Sequence, residues 1–120
     1  MAGVQSRDFD SPDETRTPDK TQIDVVRMGT TTAARFAFEP GWRWSECVKP
    51  VAGTDSCQAR HVGVVHSGRL AVLHDDGTEL ELGAGDAYVI EPGHDAWVVG
   101  DDPFTGYEFE SATAETFARK

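Results

Sequence analysis

Short segments in which apolar residues alternate with polar ones constrain the fold of this chain more than any other sequence feature. Apolar residues recur at every second position at Ile23 and Val25 and again at Phe36 and Phe38. This period places one face of an extended strand inside a protein and the other face outside. The segments are separated by turn signals at Pro40-Gly41, Ser67-Gly68, Asp76-Gly77, Gly83-Ala84-Gly85 and Pro92-Gly93. Many short strands with no long helical period predict an all-β sandwich, jelly roll or barrel.

The length of 120 residues predicts a single domain with short extensions at both ends. Residues 1–20 carry few large apolar groups, so we expect an N-terminal arm that is either flexible or part of a dimer interface. Within the arm, Ser11-Pro12-Asp13-Glu14 has the order of a capping box and predicts a short helical turn. The barrel is predicted over residues 21–112, and residues 113–120 form a C-terminal tail in which a helical turn is expected.

Three glycines are predicted to adopt positive φ angles. Gly68, Gly85 and Gly93 each follow or precede a strand at a point where the chain must turn sharply. Glycine has no Cβ and adopts these angles without steric cost, so alanine at any of the three is predicted to be destabilising.

The charge of the chain excludes two classes of partner. The formal net charge is −10 and the sequence pI is near 4.6, with no basic cluster. Binding to nucleic acid depends on lysine and arginine neutralising phosphates, and anionic membranes also attract basic segments. We therefore expect neither a nucleic acid nor a membrane as a partner.

The two cysteines are predicted to be free thiols in a cytoplasmic protein. The sequence has neither an apolar stretch of about 20 residues nor an apolar signal-peptide core near its start. Cys47 and Cys57 are too few for a disulfide scaffold, and thiols stay reduced in the cytosol.

Two stretches of the chain, residues 64–72 and 85–93, each run from a strand into a glycine turn. Residues 85–93 resemble the second cupin motif, with Glu91 at its first proline position and Pro92-Gly93 forming its turn. Residues 64–72 resemble the end of the first motif, and Asp76-Gly77 fits the hairpin that usually follows it. Segments 42–46, 54–57 and 92–97 are similar to small single-domain actinobacterial-type cupins of unassigned function. The resemblance covers about residues 22–110 and implies a cupin-type double-stranded β-helix, a jelly-roll barrel that holds a small-molecule ligand, in a homodimer.

The resemblance also implies a metal site whose usual ligands have been replaced. Cupin motifs supply two histidines and a glutamate from the first motif and one histidine from the second. Asp55, Cys57 and His61 occupy the three first-motif positions, whereas Ala96 occupies the second-motif position. His94 is two residues earlier and has the same strand parity. Asp55, Cys57, His61 and His94 are therefore candidate ligands of a divalent ion, Zn or Fe. The alternative is a turn aspartate, a buried apolar cysteine and a hydrogen-bonded core histidine.

Aromatic residues form a second group of candidates. Trp42 and Trp44 are predicted on one face of an extended segment, and Tyr88 and Trp97 flank the second motif. Together with His61 they are predicted to line a ligand pocket, since such pockets have apolar walls with few polar groups. The alternative is that these rings are core or a dimer contact.

Three functions remain open from the sequence. The replaced histidines favour a module that binds or senses a small organic ligand in the barrel. The second hypothesis is a metal-dependent enzyme, either a small oxygenase or an isomerase. The third is a metal-free epimerase or isomerase with His61 as its base and a pocket carboxylate orienting it. His61 is the first candidate for a catalytic residue, and the sequence has neither a nucleophile elbow nor a phosphate-binding loop.

Overall fold

The computed structural model describes residues 3–109, which form nine strands and two single-turn helices. The strands are β1 (Glu14–Arg16), β2 (Thr21–Met28), β3 (Thr31–Phe38), β4 (His61–Ser67), β5 (Arg69–His74), β6 (Glu79–Gly83), β7 (Ala87–Ile90), β8 (His94–Val98) and β9 (Phe104–Phe109). The helices, α1 (Trp44–Cys47) and α2 (Lys49–Ala52), lie between β3 and β4.

The strands form two antiparallel sheets. The larger sheet has the order β1-β2-β3-β9-β4-β7 and the smaller one has the order β6-β5-β8. Strands distant in sequence, such as β3 and β9 or β5 and β8, are neighbours in space. This is the all-β, double-stranded arrangement expected of a jelly-roll barrel, so the predicted fold class is confirmed.

Aromatic side chains fill the space between the inner faces of the sheets. Register pairs Ile23 with Phe36 and Phe38 with Phe104, and all four side chains are buried. The Phe38 ring stacks on Trp42 with centroids 3.9 Å apart and also contacts Phe104. The alternation of these strands therefore gives the barrel a packed centre.

The N-terminal arm forms a strand where a helical turn was predicted, so that prediction is wrong. β1 pairs with β2, and Asp13 N–H donates to the carbonyl of Val25 just before β1 begins. The Asp13 carboxylate accepts hydrogen bonds from the Arg7 guanidinium and from the backbone N–H of Arg27. The edge of β2 offers the backbone more hydrogen-bond partners than one isolated helical turn would provide. The predicted flexibility of the arm, or its place in a dimer interface, remains a prediction.

The extended segment predicted around Trp42 and Trp44 ends at Arg43. Arg43 has an extended backbone and forms an isolated bridge with Trp97. Trp44 then begins α1, so the two tryptophans do not share a strand face.

The predicted turn glycines are confirmed. Gly68, Gly85 and Gly93 have φ angles of +79°, +89° and +100°, and Gly77 turns the β5–β6 hairpin at +94°.

The helical turn predicted in the tail after Ser111 lies outside the described residues. Within residues 3–109, no helix has the length and apolar character needed to cross a membrane.

Candidate functional site

Three buried side chains that can ligate a metal meet at one end of the barrel. His61 is the first residue of β4, and His94 is the first residue of β8. Cys57 lies in the loop before β4 and is tied to β8 by backbone hydrogen bonds with Gly93 and His94. The two strands and this loop therefore bring together residues far apart in sequence.

The spacing of the three ligand atoms suits a single ion. Cys57 Sγ lies 3.6 Å from His61 Nε2, and the His61 and His94 ring centroids are 5.2 Å apart. One ligand atom from each residue lies within 4.8 Å of the other two. In a tetrahedral zinc site, bonds of about 2.0–2.3 Å separate ligand atoms by roughly 3.3–3.6 Å. Small side-chain movements would therefore close the group around a metal.

Hydrogen bonds fix the orientation of both imidazoles. His61 Nδ1 donates to Glu108 Oε1 at 2.9 Å, and His94 Nδ1 donates to the carbonyl of Glu91 at 2.9 Å. The second carboxylate oxygen of Glu108 accepts a hydrogen bond from the Tyr88 hydroxyl at 2.7 Å. Metal-binding histidines are usually held through their other nitrogen in this way, which leaves Nε2 as the ligand atom.

Electrostatics favour an ionised Cys57–His61 pair. Burial raises the pKa of the Cys57 thiol, but the His61 and His94 imidazoles beside the sulfur outweigh burial and lower it to about 6. Burial lowers the pKa of His61, but the charge of Glu108 and the contact with Cys57 raise it to about 10. Burial and the neighbouring Glu108 also raise the pKa of the Tyr88 hydroxyl. At neutral pH the cysteine is therefore a thiolate, the form that binds metals.

The centre of the barrel has very little free space. A cavity of about 20 Å³ is lined by Phe36, Phe38, Trp44, His61, His94 and Glu108, among others. Such a volume accommodates about one water-sized species. It is large enough for one small atom or group beside these side chains, and the organic ligand predicted in the barrel remains a prediction.

Two of the residues predicted at the site lie elsewhere. The Asp55 side chain is fully exposed, and its carboxylate is 3.8 Å from Lys49 Nζ. Trp97 alternates with the inward-facing Ala96 and Val98, so its half-buried ring lies on the outer side of β8. There the Arg43 guanidinium covers the Trp97 ring at 4.5 Å.

The other predicted residues do line the barrel. Trp42, Trp44 and Tyr88 are buried around the central cavity with His61 and His94. Trp42 Nε1 donates to Thr21 Oγ1 at 2.8 Å, whereas Trp44 Nε1 has no hydrogen-bond partner in the described part of the chain.

Glu108 belongs to the site but was not predicted from the sequence. It is buried on β9, on the same face as Phe104 and Gly106. A signal for it was present, because an acidic residue stood in phase with an inward-facing phenylalanine in a predicted strand.

A larger cavity of about 420 Å³ lies between the free edges of β6 and β7. Its walls include Leu80, Leu82, Val89 and Ile90. Tyr88 and Ile90 line this groove as well as the central cavity, so they separate the two spaces.

Comparison with solved structures gives clear matches, although the sequences are distant. The cupin domain of Cnp3 from Schizosaccharomyces pombe matches at 12% identity and a TM-score of 0.58, over 80% of this chain and 66% of that one. The polyketide cyclase RemF from Streptomyces resistomycificus matches at 15% identity and a TM-score of 0.61, over 88% of this chain and 78% of that one. KdgF from a Halomonas species matches at 20% identity and a TM-score of 0.55, over 80% of this chain and 85% of that one.

Sequence comparisons do not extend this result. No protein-family model matches the chain. No curated protein matches it either. The structural likenesses and the order of the strands nevertheless agree with the motifs at residues 64–72 and 85–93, and this chain therefore has the cupin fold.

Proposed function

We propose that this protein is a metal-dependent cupin enzyme in which Cys57, His61 and His94 hold one Zn²⁺ or Fe²⁺ ion. The observation that carries the proposal is the convergence of three buried ligand atoms within 4.8 Å of one another. Thiolate and imidazole are suitable ligands for both metals. Within residues 3–109 this group has three members, which is the number of protein ligands in catalytic zinc sites.

The surrounding residues prepare the three ligands for this role. Glu108 keeps a proton on His61 Nδ1, and the Tyr88 hydroxyl holds the Glu108 carboxylate in place. The aromatic walls exclude bulk water, which strengthens electrostatic interactions inside the barrel. A divalent ion bound here would supply Lewis-acid activation of a water molecule or substrate oxygen.

Metal analysis of protein purified without an affinity tag that binds metal tests this proposal. We expect near-stoichiometric zinc or iron in the parent and loss of most of it in Cys57→Ser, His61→Gln and His94→Gln. His66→Gln is the matched control for His61, because His66 is exposed on the same strand. Asp55→Asn should keep its metal because that side chain is remote from the group. A parent protein that stays metal-free after incubation with Zn²⁺ and Fe²⁺ would overturn the proposal.

A metal-free enzyme is the alternative if the protein fails that test. His61 lies between the Cys57 thiolate and a carboxylate that orients it, an arrangement that supports proton transfer by His61. In that case His61→Gln would abolish activity in a protein that never contained metal.

We further propose that an organic ligand binds in the groove between β6 and β7. Its volume of about 420 Å³ lies in the range of small-molecule sites, and its apolar walls suit an apolar ligand. A dye that fluoresces on apolar surfaces, such as anilinonaphthalene sulfonate, is a suitable probe. We expect Leu80→Asp to reduce its binding and Leu73→Asp to leave it unchanged, since Leu73 is also exposed but does not line the groove. Equal binding by the two variants would contradict this proposal.

A further inference from the structure

The indole nitrogen of Trp44 is a buried hydrogen-bond donor without an acceptor. The side chain is 1% exposed and lines the central cavity. Among residues 3–109, Trp44 Nε1 is the one buried side-chain nitrogen or oxygen that has no partner. Buried polar groups in folded proteins are nearly always paired, so this donor calls for an explanation.

The neighbouring Trp42 has an indole N–H that is hydrogen-bonded within the same core. Trp42 is equally buried, and its Nε1 donates to Thr21 Oγ1 at 2.8 Å. The barrel therefore supplies a protein acceptor for one indole and none for the other. Around Trp44 the cavity walls are largely aromatic and aliphatic, and the Glu108 oxygens already accept hydrogen bonds from His61 and Tyr88.

We infer that the Trp44 indole N–H donates a hydrogen bond to an exogenous ligand that binds beside the Cys57–His61–His94 group. The inference rests on the proposed metal site. The donor requires an acceptor atom on the ligand. A divalent ion with one thiolate ligand has a charge of +1, which the Glu108 carboxylate behind His61 balances over the whole site, so the preference for an anion acts at the ion itself and at the Trp44 N–H. A cavity of about 20 Å³ restricts the part of the ligand inside the barrel to very few atoms. The ligand class is therefore a compact anion or the anionic end of a larger molecule.

Azide binding to the Co²⁺-substituted protein tests the inference without an activity assay. Co²⁺ reports its own binding through thiolate charge-transfer absorption and reports azide through a change in its visible spectrum. We expect Trp44→Phe to bind Co²⁺ like the parent but to bind azide at least about tenfold more weakly, because a hydrogen bond to a charged group is lost. Trp42→Phe is the control, since its indole N–H is already used within the fold.

The indole resonances of the Zn²⁺-loaded parent give a second measurement that needs no stable Trp44 variant. Azide should shift the Trp44 indole proton downfield and leave that of Trp97, on the outer face of β8, unchanged. If azide binds while the Trp44 resonance stays in place, or if Trp44→Phe binds azide as the parent does, this inference is wrong and the metal site stands. If neither Zn²⁺ nor Co²⁺ binds, the proposed function fails and the inference fails with it.

Discussion

The charge of Cys57 depends on the two imidazoles that face its sulfur. A buried cysteine without such neighbours is a small apolar residue with a raised pKa. Here the His61 and His94 imidazoles reverse the effect of burial, and the Cys57 pKa falls from 9.0 to about 6. His61 in turn gains its positive charge from its contacts with Glu108 and Cys57. The two side chains therefore stabilise each other's ionised form.

The first prediction concerns the titration of Cys57 in metal-free protein. In a Cys47→Ser background, where Cys57 is the remaining thiol, thiolate ultraviolet absorbance should rise with a midpoint near pH 6. The folded pKa lies below the unfolded one, so the stabilisation that this ionisation provides is present above pH 9 and is lost as pH falls through about 6. Adding His61→Gln should move the midpoint upward. A midpoint near 9 in the Cys47→Ser protein would contradict the predicted pair.

The second prediction concerns Glu108, which positions His61. Glu108→Gln removes the negative charge that holds the proton on His61 Nδ1. Loss of such an outer hydrogen bond typically weakens metal affinity by about 10- to 100-fold. Competition with a zinc chelator would measure the change, and Glu79→Gln, an exposed residue on β6, is the matched control. Equal affinities for the two variants would show that Glu108 does not orient a metal ligand.

Individual strands could be predicted from the sequence, but the two short helices were missed. Most of the strands show period-two alternation or glycine turns. α1 gave a different signal, because the buried residues Trp44, Cys47 and Val48 follow a helical spacing of three and four. The short extended segment just before it, around Trp42, masked this pattern.

Part of the site was predicted by strand register, and part required the folded structure. His94 was predicted because it shares a strand face with Ala96, and both side chains point inward. The inward direction of Glu108 could be inferred from its phase with Phe104, but its contact with His61 depended on the pairing of β9 between β3 and β4, which no local pattern specifies. Asp55 was predicted by counting along a motif, but its loop turns its side chain into solvent.

The third prediction compares the loss of stability that alanine causes at two turn glycines. Gly68 and Gly85 both have positive φ angles, so alanine at either should cost about 1 kcal/mol for backbone strain. A Cβ at Gly68 would also overlap the carbonyl oxygen of Pro103, whereas a Cβ at Gly85 meets nothing within 4 Å. Urea unfolding should therefore show a loss for Gly68→Ala that is larger than that for Gly85→Ala by at least about 1–2 kcal/mol. Equal losses would mean that the turn between β4 and β5 is not in close contact with the segment before β9.

The outer face of the larger sheet has an apolar area that a second copy of the chain would cover. On this face Val62 pairs with Val89, and Val64 pairs with both Ala87 and Tyr107. Val64, Val89 and Phe109 are substantially exposed. A cluster of exposed apolar residues across three strands is typical of a protein interface. We therefore keep the prediction of a homodimer and place its interface on β4, β7 and β9.

The fourth prediction tests this interface by mass and by salt dependence. Light scattering should give twice the chain mass of 13.1 kDa, and Val64→Asp and Val89→Asp should shift the protein toward monomer. Leu73→Asp replaces an exposed apolar residue by the same charged one, but on the smaller sheet, and should leave the mass unchanged. Each copy carries a net charge of −10, so two copies repel each other and added salt should strengthen association by screening that repulsion. A mass of one chain at micromolar concentrations in moderate salt, or loss of the dimer in Leu73→Asp alone, would show that the apolar face of β4, β7 and β9 is not where two copies meet.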